Sequence, residues 1–146
     1  MNPLELLKAD HKKVKDLFQQ AEAAEGSPLE EICQRIKTEL ETHAHIEETV
    51  FYPAMEKYDE LKEMVQESRE EHQEIKTQLQ ELSSDGDEIK SKLEELMETV
   101  EHHAEDEEEG EMFPKILELI DAQELQKIGN QLETAKSQFQ QQRKAG

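Results

Sequence analysis

The residues best equipped for chemistry are His43 and Glu47, within the stretch LETHAHIEETVFYP that runs from Leu40 to Pro53. In a helix, positions four apart lie on one side and one turn apart, so this imidazole and this carboxylate can reach a single ion. A near copy follows, in which His103 and Glu107 precede Met112-Phe113-Pro114, an echo of Phe51-Tyr52-Pro53. His11 and His72 add two imidazoles, each interrupting a line of apolar residues. A lone histidine on such a line is usually a satisfied core residue. Four of them, two followed by a glutamate one turn on, make a different case. An unpaired carboxylate in a core costs several kcal/mol, and a cation supplies the missing charge. The spacing therefore predicts metal ligation by His11, His43, Glu47, His72, His103 and Glu107.

Helices must carry these residues, and the apolar spacing supplies them. Asn2-Pro3 reads as an N-cap with proline at the first helical position, ahead of a stripe of Leu4, Leu7, His11, Val14, Phe18 and Ala21. Gly26 is expected to end that helix, and Ser27 with Glu30 to form a capping box for the next. The second stripe is Leu29, Ile32, Ile36, Leu40, His43, Glu47 and Val50, with Pro53 near its end. A third helix is expected from about Glu60 to Leu82, with Ser68 one turn before His72. Ser83 to Asp87 reads as a loop, and a fourth helix follows through Ile89, Leu93, Leu96, Val100, His103 and Glu107. Asp121 is expected to cap a fifth helix, with 140–146 a fraying tail.

Helix one matches helix three and helix two matches helix four, so the chain is an internal repeat. The expected fold is all-α: an up-down-up-down antiparallel four-helix bundle with an additional C-terminal helix. Residues 1–120 form the bundle, and 121–146 belong to the same domain. Two half-sites would then face each other at similar depth.

Two sets of His, His and Glu suggest two ions, with carboxylates available to bridge them. Mixed nitrogen and oxygen donors suit iron, manganese or zinc more than calcium or magnesium. None of the six histidines has a glutamate three residues before it, which argues against the Glu-x-x-His carboxylate class of bundle. His45 and His102 lie off the stripes and are expected at the surface. Within the acidic run 105–109 only one acid needs to face inward. Glu107 repeats the four-residue spacing, whereas counting back from the proline selects Glu108; Glu107 is preferred.

A formal charge of −20 disfavours nucleic acid and anionic membrane surfaces as partners. No apolar run approaches the roughly 20 residues of a membrane span, no secretory leader is evident, and the single Cys33 cannot form an internal disulfide, so a cytoplasmic location is expected.

The order His, His-x-x-x-Glu, His, His-x-x-x-Glu, with E-E-x-x-F-Y-P after the second histidine and E-G-E-M-F-P after the fourth, resembles the hemerythrin-like (HHE) cation-binding family from Asp10 to Pro114. The resemblance implies an oxo- or hydroxo-bridged non-haem di-iron centre, ligated by the six residues above with the two glutamates as bridges. Zinc and manganese are less favoured. Hemerythrins proper carry an extra histidine where Ser68 stands here, and their fourth-helix acid follows its histidine by five, which keeps Glu108 in play. The expected function is binding of dioxygen or nitric oxide, for oxygen binding, sensing or storage. The alternative is a di-iron enzyme acting on peroxide or nitric oxide, or an iron-handling protein; a metal-free helical interaction protein is the third reading.

Overall fold

A computed structural model describes residues 2–82 and 88–145, and every described element is helical. Helix α1 spans Pro3–Ala23, capped as expected by Asn2, whose Oδ1 accepts the Leu4 amide at 2.8 Å. Helix α2 spans Gly26–Ile46. It opens on Gly26 itself, at φ 64°, where only glycine is free of Cβ strain, and Glu25 at its N-cap makes no side-chain bond. The expected capping box is therefore absent: the helix begins one residue before Ser27, which lies inside its first turn.

Past Ile46 the backbone stays helical but widens to a π-helix, Glu47–Phe51, and then returns to α3, Tyr52–Met55. A short 3₁₀ turn, Asp59–Leu61, leads into α4, Lys62–Leu82. The same construction recurs: α5, Ile89–Glu101, widens to a π-helix over His102–Met112 and resumes as α6, Phe113–Leu119. Both wide segments end just before a proline, Pro53 or Pro114. Proline cannot donate to the carbonyl four residues back and its ring crowds that carbonyl, and an i→i+5 turn relieves both conflicts. The expected loop from Ser83 to Asp87 lies outside the described residues.

Helix α7, Ala122–Ala145, is started by Asp121, whose Oδ1 accepts the Glu124 amide at 2.9 Å. Residues 140–145 continue the helix rather than fraying, and Arg143 donates to Glu41 at 2.6 Å.

The five helical rods bury two apolar clusters. One gathers Leu7, Ile46, Phe51, Met55, Leu61, Phe113, Ile116 and Ile128, and the other Val14, Phe18, Ile36, Leu79, Leu96 and Val100. Between them lies a polar layer. Along each of the first four rods the chain passes from one cluster to the other through Asp10 and His11, His43 and Glu47, Ser68 and His72, or His103 and Glu108.

Candidate metal centre

The four layer histidines come from four rods, and each turns Nε2 inward. His43 Nε2 lies 3.2 Å from Glu47 Oε1 and His72 Nε2 3.0 Å from the same oxygen. His11 Nε2 lies 3.1 Å from Glu108 Oε1, and His103 Nε2 3.4 Å from Glu108 Oε2. Two inner donor groups result: His11, His43, Glu47 and Glu108, and, sharing Glu47, the set Glu47, His72 and His103; a third, Glu71, His102 and Glu107, lies outside the layer and includes the exposed His102. Both glutamates are fully buried.

Only part of this cluster is hydrogen-bonded, as His72 Nε2 is to Glu47 Oε1 at 3.0 Å. His11 Nε2, His43 Nε2, Glu47 Oε2 and Glu108 Oε1 are buried without a hydrogen-bond partner. Each such orphan costs about 1–3 kcal/mol, and four of them facing one small space are donors to a cation. His72 Nε2 and His103 Nε2 also face each other at 3.1 Å, a contact that needs a proton on one nitrogen or a positive ion beside both.

Behind every Nε2, the Nδ1 of the same ring meets a carboxylate. The pairs are His11 with Glu109 at 2.6 Å, His43 with Asp10 at 3.0 Å, His72 with Glu48 at 2.8 Å and His103 with Glu71 at 2.7 Å. A carboxylate can only accept, so each Nδ1 carries its proton toward the brace, and a cation in the layer would then meet the Nε2 lone pairs, the arrangement that orients metal-bound imidazoles. Each bracing acid is the chain neighbour of an inward residue on another rod: Asp10 of His11, Glu48 of Glu47, Glu71 of His72, Glu109 of Glu108. Two braces are themselves anchored by cations, Asp10 by Lys136 at 2.7 Å and Glu48 by Lys76 at 2.9 Å. None of these four acids was singled out from sequence, although an acid directly beside His11, Glu47, His72 and Glu108 was visible there.

Tyr52 was also missed, having entered only as part of the Phe-Tyr-Pro echo. Its hydroxyl stands in the middle of the layer, donating to Glu108 Oε2 at 2.7 Å and lying 3.2 Å from both Glu47 Oε1 and His72 Nε2. Burial, then the charges of Glu108 and Glu47, push this phenol well above its ordinary value, so it keeps its proton. Burial alone would lower His43, but the charge of Glu47 and the hydrogen bond to Asp10 outweigh it and push the imidazole up to about 10. Burial opposes the ionised form of Glu47 too, yet the His43 charge and its hydrogen bonds hold it well below the usual carboxylate range. Without a cation, protons gather where one would sit.

The structure brings His11, His43, Glu47, His72 and His103 together and leaves Glu107 out. Glu107 turns aside to His102, 3.1 Å away, and its carboxyl is pushed up to about 7 by partial burial and by Glu71 beside it. Glu108 takes the inward place. The reason is the π-helix, whose i→i+5 bonding carries the fifth residue after His103, not the fourth, round to the same face. His43 and Glu47 keep the four-residue spacing because their wide segment starts only at Glu47. His102 is exposed as expected, but His45 is half-buried against α7, stacked on Phe139 with ring centres 4.2 Å apart. Ser68 is fully buried with no hydrogen-bond partner for Oγ.

No helix among the described residues is long and apolar enough to cross a membrane. No curated protein and no solved structure matches the chain. A family model does match, over residues 2–116, described as the hemerythrin HHE cation binding domain. That span contains both inner donor groups and all four braces, and the chain belongs to the hemerythrin HHE cation-binding family.

Proposed function

We propose that the layer holds two iron ions and binds dioxygen or the related diatomic nitric oxide. The observation that carries this reading is the set of four buried, unpartnered donor atoms converging on one space, with every imidazole braced from behind. One ion would be held by His11 and His43 and the other by His72 and His103, with Glu47 and Glu108 between them. Glu108 replaces Glu107 in this set on burial and distance. A donor set of imidazoles and carboxylates without thiolate suits iron, and manganese or zinc less. When bound, the iron pair supplies the electrons and the coordination by which a diatomic is held.

The chain's own residues do the rest. The carboxylate braces fix each ring's tautomer and aim. The two apolar clusters close the layer off along the helix axes, and Tyr52 holds a proton at its centre, on the hydroxyl that donates to Glu108. We also read the rods as an antiparallel up-down bundle, which the short joints 24–25 and 56–58 favour.

The test is metal content after growth in iron-supplemented medium, then absorbance of the reduced protein before and after dioxygen. About two irons per chain, matching the two inner donor groups, with visible bands that reverse on deoxygenation, support binding. Irreversible oxidation with peroxide turnover favours the enzymatic alternative, and background iron overturns both.

A further inference from the structure

A cleft of about 400 Å³ leads from the surface to the four histidines, between α2 and α4 and beneath the last turns of α7. Leu40, Ile75 and Leu79 form its walls, and Phe139, stacked on His45, overhangs it. A diatomic needs little more room than the roughly 30 Å³ of a water. Clefts from about 300 Å³ upward, with mostly apolar walls and a few placed polar groups, are the size that holds organic molecules.

The charges at the mouth are sorted. Glu41 is neutralised by Arg143 at 2.6 Å and Glu48 by Lys76 at 2.9 Å. Lys37, half-buried and lining the same cleft, has no ion pair among the described residues. Of the two lysines that line the cleft, Lys76 is held by Glu48 and Lys37 is the one that no carboxylate among the described residues engages. Its natural complement is a ligand with one negative end and an apolar body.

We propose that the cleft binds a small amphiphilic monocarboxylate of the medium-chain fatty-acid class. The carboxylate sits on Lys37, and the alkyl chain lies along Leu40, Ile75 and Leu79 with its far end toward the histidines. The proposal deepens the metal-centre reading, on which it rests only for what the far end meets.

Octanoate is the probe, titrated by calorimetry into the full chain with iron and after chelation, with iron content measured on every sample. Saturable binding is expected in both forms. Lys37→Glu should weaken it by about fivefold or more, as expected for reversing a charge at a partly exposed ion pair, while leaving the binding of octanol unchanged. Leu79→Trp should abolish both, with helical circular dichroism as the check on folding. Absence of saturable binding at millimolar octanoate overturns the proposal. So does binding that needs iron and ignores Lys37→Glu, which places the carboxylate on the metal. Octanoate binding with background iron would sink the metal reading and leave this one standing; two irons with no octanoate binding would do the reverse.

Discussion

Glu107 and Glu108 are adjacent in a run of five acids, and their surroundings separate them. Glu108 is fully buried between His11, His103 and the Tyr52 hydroxyl, whereas Glu107 keeps a fifth of its side chain in solvent, at 22 %, beside His102. Removing the first takes a donor from the group it forms with His11, His43 and Glu47; removing the second touches only the outer group with Glu71 and His102. Glu108→Ala is therefore expected to lower iron from about two per chain to one or fewer, while Glu107→Ala keeps it, read by metal analysis of the two purified variants. Equal loss in both, or loss only in Glu107→Ala, would refute the assignment. The braces act at the same scale. They are legible in hindsight as the acids next to His11, Glu47, His72 and Glu108, but nothing in one sequence says which ring an acid will reach on another helix.

The helices themselves were legible because apolar residues recur at helical spacing along each rod, and the Asn2 and Asp121 caps follow from side-chain chemistry alone. The π segments were not. An i→i+5 turn has no period of its own over so few residues, and the sign of it is indirect: a proline in a helical pattern, and an acid that falls in register with Glu47 only when counted back from that proline. Asp10 to Glu71, His11 to His72, Glu47 to Glu108 and Pro53 to Pro114 are each 61 residues apart, and His43 to His103 is 60. That one-residue slip is where the longer wide segment takes in its extra residue. Gly110 lies in this segment, and a Cβ there would stand 3.1 Å from the Glu105 carbonyl oxygen, tighter than most Cβ contacts, so the backbone would have to give. Alanine also favours the α-helix over glycine by about 1 kcal/mol. Gly110→Ala should accordingly push the segment toward α geometry and turn Glu108 away from His11. Iron content should fall while the chelated protein melts no lower. Unchanged iron would show that the wide turn does not depend on this glycine.

For the whole molecule, the ligand layer is a belt of charge between two apolar clusters, and its protonation couples to folding. His43 rises from 6.5 to about 10 in the folded, cation-free protein. A group whose value is raised by folding stabilises fully below its unfolded value and loses that contribution as pH climbs through the folded one. Chelated protein should thus become less stable to urea as pH rises from about 6.5 to 10. Iron-loaded protein should show a smaller decline, because a cation needs the neutral imidazole. Stability of the chelated form that is flat or rising across this window would contradict the arrangement.

The duplication that builds this belt is also broken in one respect. The 61-residue step that carries Glu47 onto Glu108 carries Tyr52 onto Phe113 and Leu7 onto Ser68. Around His72 the chain therefore places a phenol and a hydroxyl, and around His11 the Phe113 ring, stacked 6.4 Å away, with Leu7 as the partner of Ser68 in the repeat. Two irons held in this frame would not share an environment. Mössbauer spectra of the oxidised protein should resolve two quadrupole doublets of equal area, and Tyr52→Phe should draw them together. If the layer holds the proposed iron pair, halves that differ in polarity would give an incoming ligand a preferred iron.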